Sequence, residues 1–187
     1  MKTWAVWLTG LPGSGKSAVA RELEMLLKGI KVQVLSLDRL RKTLTPKARY
    51  TEDERDAVYS TLILIGELLI KNDVNVIIDA TAHRRRWRES ARKKFENFLE
   101  VYIKCPLEIC IERESNRKDN LVVSELYRKA LERLRYGKEQ ERLGEVIGID
   151  VPYEEPEKPE IVIESNKVRP NEGARLILEE MKRLGYI

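Results

Sequence analysis

The chain has 187 residues, 42% of them hydrophobic, enough for one ordinary domain with a packed core and too few for two complete domains. Ten Gly and seven Pro exclude a collagen-like or low-complexity chain, and the hydrophobic share excludes disorder along the whole length. The 35 Lys plus Arg against 31 Asp plus Glu leave +4, so the two signs mostly cancel and argue only weakly for a polyanionic partner.

Residues 4–9 (WAVWLT) form an apolar run that stops at a glycine-rich turn, after which Val19, Leu23, Leu26 and Leu27 share one helical face. This is strand, loop, helix. Residues 32–37 (VQVLSL) read as a second strand ending at Asp38, and residues 74–78 (VNVII) as a third ending at Asp79. Between them Val58, Leu62, Ile65 and Leu69 repeat at helical spacing, and Thr51 with Glu54 makes a capping box that starts the helix. Residues 98–103 (FLEVYI) are a fourth strand, followed by Pro106 at the first position of a helix running towards Ser115.

The segment from Glu112 to Pro159 changes character: it is helical and rich in charge (Arg113, Arg117, Lys118, Arg128, Lys129, Arg133, Arg135, Lys138, Arg142), then carries Pro152, Pro156 and Pro159. It reads as a helical lid and tether, about residues 113–158, within a single domain spanning 1–187. A short fifth strand follows at 161–163, and a last helix, capped by Asn171, carries Ile177, Leu178, Met181 and Leu184 inward and stops at Gly185. Strands alternating with helices predict an α/β fold, a five-stranded parallel sheet with helices on both faces, whose functional groups gather at the carboxyl ends of the strands.

Cys105, Cys110 and the single His83 cannot furnish a recognisable zinc set, so no structural metal is expected. The cysteines are too few for an extracellular disulfide scaffold, and the apolar run before Gly10 is too short for a signal peptide. The best membrane candidate, 62–70, is interrupted by Gly66 and Glu67, and a cytoplasmic protein is expected.

Gly10-Leu11-Pro12-Gly13-Ser14-Gly15-Lys16-Ser17 matches G-x-x-x-x-G-K-S in full, between a predicted strand and a predicted helix. Such glycines let backbone N–H groups converge on phosphate oxygens at a helix N-terminus, Lys16 reaches the β- and γ-phosphates, and Ser17 places its hydroxyl on Mg²⁺. ATP is the expected nucleotide, bound by this loop and the adjoining Ala18. A GTPase is disfavoured, because the nearest match to N-K-x-D, Asn166-Lys167-Val168-Arg169, lacks the base-reading carboxylate. The short chain favours a small kinase closing a lid over its substrates rather than a motor.

Asp38 and Arg41 stand three residues apart after the second strand. Asp38 can accept the proton of an acceptor hydroxyl or fix a Mg²⁺-bound water, and Arg41 can grip a phosphate or sulfate; the alternative is a helix-capping Asp and a surface Arg. Asp79 ends its strand as a Walker-B carboxylate does and is a second Mg²⁺ candidate, equally readable as a cap of the next helix, while Thr81 follows on the loop facing the acceptor. Arg84, Arg85, Arg86 and Arg88 around Trp87 read first as a solvated face and second as a nucleic-acid grip, and His83 as a loop or surface residue. Among the lid cations Arg113 is the choice for neutralising the transferring phosphoryl group, the others being solvated partners of neighbouring glutamates.

The segments Trp7-Leu8-Thr9-Gly10 with the phosphate loop, Asp38-x-x-Arg41, Glu100-Val101-Tyr102-Ile103-Lys104-Cys105-Pro106-Leu107-Glu108, Leu126-Tyr127-Arg128-Lys129-Ala130 and Gly148-Ile149-Asp150-Val151-Pro152-Tyr153-Glu154 resemble the adenylylsulfate (APS) kinases nearly end to end. The resemblance implies a P-loop kinase fold, Mg-ATP as donor, and transfer of the γ-phosphoryl group to the 3′-hydroxyl of adenosine 5′-phosphosulfate, with Asp38, Arg41 and Arg55 at the acceptor nucleotide. The chain departs from the family pattern where Ala82 replaces a serine, Val146 replaces a phenylalanine that stacks on the acceptor adenine, and Val58 replaces an asparagine. The 77–81 loop also looks like kinases of other hydroxyl compounds, seryl-tRNA kinases among them, and an ATP-binding protein associated with nucleic acid is the reading from another class. A small-molecule acceptor is the expected partner, with neither nucleic acid nor membrane expected and a homodimer left open.

Overall fold

The computed structural model describes residues 2–116, 125–137 and 143–187; of the basic residues assigned to the lid, Arg117, Lys118, Lys138 and Arg142 lie outside them. The anticipated strands form one parallel sheet, β1 (Ala5–Thr9), β2 (Val32–Ser36), β3 (Asn75–Asp79), β4 (Phe98–Lys104) and β5 (Ile161–Glu164), in the order β2-β3-β1-β4-β5. Between them run α1 (Lys16–Leu26), α2 (Leu37–Leu44), α3 (Glu52–Lys71), α4 (Arg85–Lys94), α5 (Leu107–Ser115), α6 (Leu126–Tyr136) and, last, α7 (Pro170–Arg183).

The central strand explains the two layers. Val6 and Leu8 pack with Val19 and Leu23 of α1 and Ile177 and Met181 of α7, whereas Ala5 and Trp7 pack on the other face with Val58 and Leu62 of α3 and Trp87 and Ala91 of α4. A strand covered on both faces needs an unbroken apolar run, as 4–8 has, rather than alternation. A third cluster, with Cys110, Tyr127, Ala130 and Val146, joins α5 and α6 to the 143–149 segment.

Several boundaries differ from the sequence expectation. The second strand stops at Ser36, whose Oγ accepts the Arg39 N–H, and Leu37 and Asp38 already belong to α2. Leu37 is buried in either conformation, so hydrophobicity alone runs strand into helix. The last helix begins at Pro170 with Arg169 as cap, so Asn171 lies inside it, and Pro106 caps α5 rather than opening it. Leu26 and Leu184 face solvent, at 40% and 36% exposure, rather than the core. Thr51 does cap α3, its Oγ1 accepting from the Glu54 N–H at 3.3 Å, but the Glu54 carboxylate reaches back further than a capping box, to the backbone N–H of Arg49 and Tyr50.

Of the arginines around Trp87, Arg86 is exposed, as a solvated face requires, Arg84 and Arg85 are half-buried, and Arg88 is fully buried. Arg84 and Arg85 pair with Glu154 and Glu157 of the 152–160 tether, Arg86 with Glu52 and Asp56, and Arg92 with Glu160. Arg88, fully buried, donates from Nε to Glu100 at 2.7 Å and from its terminal nitrogens to the carbonyls of Ala82 and Glu154. The run is a clamp that holds the tether onto α4 and β4. Breaking a buried pair strands a charge and costs about 3–5 kcal/mol, whereas exposed pairs contribute at most about 1 kcal/mol. Urea denaturation should therefore show Arg88→Met destabilised by about that larger amount and Arg86→Ala by less than about 1 kcal/mol.

Candidate functional site

The phosphate loop is shaped by backbone approach. Gly10, Gly13 and Gly15 all take positive φ, and a Cβ on Gly13 would stand 2.4 Å from the Cys110 carbonyl oxygen, a contact no side chain tolerates. Gly15 precedes α1, which has neither a side-chain cap nor an acidic residue in its first turn, so the positive helix end is left to an anion. The Ser14 hydroxyl is buried with no hydrogen-bond partner among the described residues. Lys16 Nζ donates to the carbonyls of Gly10 and Leu11 at 3.1 and 2.8 Å, inside the loop that would cradle phosphate, and Ser17 and Ala18 are half-buried in the first turn of α1. These features fit the triphosphate of a nucleotide.

Behind the loop, Arg113 in the last turn of α5 donates to the Ser14 carbonyl at 3.5 Å and to the hydroxyl and carbonyl of Ser165 at 3.1 and 2.8 Å. The Ser165 hydroxyl donates to the same Ser14 carbonyl at 2.6 Å. Arg113 thus braces the loop against the end of β5.

The sheet register places the carboxylates in order. Asp79 pairs with Leu8 on one side and Ser36 on the other, so it lies between the phosphate loop after β1 and Asp38 after β2, with strands about 4.8 Å apart. Asp38 is half-buried in the first turn of α2, and Arg41 lies one turn further on, buried, with Nη1 3.0 Å from Glu54 Oε1. Arg55 of α3 faces the same space. Its Nε donates to the Tyr50 carbonyl at 2.9 Å and its Nη2 to the Glu145 carbonyl at 2.9 Å, while Nη1 lies 3.2 Å from Nδ1 of His83. The Arg41 and Arg55 guanidiniums stand over the Tyr50 ring, 5.2 and 5.9 Å from its centre. Burial lowers the Arg55 pKa from its ordinary value and raises that of the Tyr50 phenol.

The loop after β3 is pinned at every residue. Trp7 Nε1 donates to the Ala80 carbonyl at 3.0 Å, Thr9 Oγ1 to the Thr81 carbonyl at 2.6 Å, and the Ala82 N–H to the Tyr59 hydroxyl at 2.8 Å. Ala82 has φ 44°, a left-handed conformation, and Arg88 holds its carbonyl. Thr81, half-buried, sits on the same loop. His83 lies on this loop, as expected, but is buried at 1% exposure rather than at the surface; its ring stands edge-on to Trp87, and its carbonyl accepts the Glu154 N–H at 2.8 Å.

Asp38, Arg41 and Arg55 thus share one space, with Asp79 between them and the phosphate loop and Thr81 just beyond Asp79. Tyr50, His83 and Glu54 were missed as site residues. Tyr50 adopts φ 57°, which no hydrophobic pattern signals for an aromatic residue, and His83 is marked in the sequence only by being the single histidine.

The family model for adenylylsulphate kinase matches residues 2–164. This chain belongs to the adenylylsulphate kinase family. It is 35% identical over 192 residues to a probable adenylyl-sulfate kinase of Pyrococcus abyssi, covering 100% of this chain and 99% of that one. An adenylyl-sulfate kinase of Halothermothrix orenii is 35% identical over 187 residues, covering 97% and 91%. Among solved structures, the Mycobacterium tuberculosis APS kinase CysC in complex with AMPPNP and APS superposes with a TM-score of 0.80 at 29% identity, covering 97% of this chain and 98% of that one. Family membership makes the phosphate loop that of an ATP-dependent phosphotransferase acting on a hydroxyl. Val146, at the position of the stacking phenylalanine in the resemblance, is buried in the cluster with Tyr127 and Cys110, and the ring beneath Arg41 and Arg55 is that of Tyr50.

Burial, with Arg55, Arg84 and Arg88 around it and only Glu154 opposing, lowers the His83 pKa to about 3. The unfolded chain protonates this histidine from about pH 6.5 downward, while the folded chain resists until about pH 3. The unfolded state therefore binds more protons in that window, and stability falls as pH drops through it. Thermal melts of the wild type and His83→Asn between those limits should show the steeper acid loss in the wild type.

Proposed function

We propose that this chain transfers the γ-phosphoryl group of ATP to the 3′-hydroxyl of adenosine 5′-phosphosulfate. The observation that carries the reading is the pair of buried guanidiniums, Arg41 and Arg55, set over Tyr50 on the far side of Asp79 from the phosphate loop. A doubly anionic nucleotide suits such a seat, because planar guanidiniums bind phosphate and sulfate oxygens with charge-assisted hydrogen bonds. The anionic end rests on Arg41 and Arg55, Thr81 contacts the acceptor, and Asp38 orients or deprotonates the hydroxyl for in-line attack.

On the donor side the loop amides and Lys16 hold the β- and γ-phosphates. Ser17 lies in the first turn of α1 and Asp79 closes β3, a hydroxyl and a carboxylate that would hold Mg²⁺. When bound there, Mg²⁺ supplies neutralisation of phosphate charge. Arg113 acts by fixing the Ser14 carbonyl, a positioning residue for the loop. The lid and tether reading of about 113–158 rests, among the described residues, on α6 and on the tether, whose Glu154 and Glu157 are fastened by Arg84 and Arg85.

Lys16→Ala should abolish phosphoryl transfer with the fold intact by circular dichroism; near-normal turnover would contradict the loop's role. Asp38→Asn should bind ATP normally and lose transfer, whereas lost ATP binding would put Asp38 in the magnesium site instead. Tyr50→Ala should raise KM for adenylylsulfate about tenfold through loss of the guanidinium–ring contacts, and Tyr50→Phe should restore it.

A further inference from the structure

Among the described residues three arginines are buried, and two of them have a carboxylate partner: Arg41 has Glu54 and Arg88 has Glu100. Arg55, only 3% exposed, makes no ion pair among those residues. Its three partners are the carbonyls of Tyr50 and Glu145 and the ring of His83. A buried charge without a paired counter-charge is costly, and this one is held by neutral partners, with the exposed Glu145 and Glu52 attracting it only from beyond ion-pair contact.

We propose that His83 is a positioning residue for Arg55: it holds the guanidinium at the acceptor seat as a neutral partner and so reserves the positive charge for an anionic group, phosphate or sulfate ester, of the acceptor. This rests on the reading of Arg55 as part of that seat. The imidazole offers a neutral surface, which a carboxylate at this position would not do. Arg55 Nη1 stands 3.2 Å from Nδ1 and 3.4 Å from Nε2, nearly equidistant, so it rests on the face of the ring rather than along either lone pair, and the contact is the same in either tautomer. The ring cannot swing away, since it stands edge-on to Trp87 at 5.0 Å and its backbone is tied to the tether through Glu154. The preceding Ala82 is fixed on both sides, by Tyr59 and by Arg88. The charged groups around the ring, Arg55 of α3, Arg84 and Arg88 of α4 or its cap and Glu154 of the tether, together oppose protonation, which keeps the partner neutral.

Asn and Asp at position 83 have nearly the same shape and differ in charge, so the pair of variants His83→Asn and His83→Asp isolates the claim. Steady-state rates with Mg-ATP and adenylylsulfate should show His83→Asn close to wild type, and His83→Asp with an acceptor KM raised roughly 10- to 100-fold and an unchanged KM for ATP. In thermal melts without ligand, His83→Asp should unfold at a higher temperature than His83→Asn, because it cancels a buried charge. Equal acceptor KM values for the two variants would overturn the proposal while leaving the acceptor reading standing. A wild type silent with adenylylsulfate would overturn the acceptor reading, and the melts would then decide on His83 alone. If His83→Asp melts no higher than His83→Asn, or fails to fold where His83→Asn folds, Arg55 is not an uncancelled charge and the proposal falls.

Discussion

A fully buried guanidinium, Arg88, ties together three separate segments of this molecule. It donates to Glu100 on β4, to the Ala82 carbonyl on the loop after β3, and to the Glu154 carbonyl on the tether that leads into β5. Without it Glu100 would keep only the half-exposed Arg92, 3.2 Å away, and the two carbonyls would lose the donor that satisfies them. The left-handed Ala82 is strained for a residue with a side chain, and it persists because Arg88 and Tyr59 fix its two backbone groups. The position of His83, and through it Arg55, depends on that fixation.

The donor half is held by a different device. There the backbone itself is the scaffold: Gly10 comes against the Ile103 carbonyl of β4 and Gly13 against the Cys110 carbonyl of α5, each so close that a Cβ would lie 2.4 Å from oxygen. Arg113 and Ser165 hold the Ser14 carbonyl from behind. The two halves meet at Thr9, the last residue of β1, whose hydroxyl contacts both the Thr81 carbonyl and the Tyr153 hydroxyl. One residue before the phosphate loop, the chain is therefore linked to the acceptor loop and to the tether at once.

What was legible in the sequence is what is encoded locally. The phosphate loop, the five strands and the Thr51 cap each rest on residues within a few positions of one another, and the family-wide similarity of these segments carries the fold with them. Asp38, Arg41 and Arg55, marked in the sequence by the segments they stand on, lie around one space beyond β2 and β3. The start of α2 at Leu37, with Ser36 as its cap, was missed, since Leu37 and Leu40 satisfy an apolar strand end and a helix start equally well. His83 and Tyr50 were missed because their roles come from distant partners: Arg55 and His83 are 28 positions apart, and the Gly144 backbone that packs against the Tyr50 ring lies on the other side of the sheet's connections. The burial of Arg88 within the arginine run was missed for the same reason, the carboxylates of the run standing on α3, on β4 and on the tether rather than on its own helix.

The central claim is that two buried guanidiniums on this scaffold select an anionic nucleotide as the phosphoryl acceptor. The most direct measurement is ADP release from the purified protein with Mg-ATP, comparing no acceptor, adenylylsulfate, and a panel of uncharged sugar, nucleoside and serine-like alcohols. The account predicts strong stimulation by adenylylsulfate and little by the uncharged alcohols. Silence with adenylylsulfate alongside rapid turnover of an uncharged alcohol would contradict it.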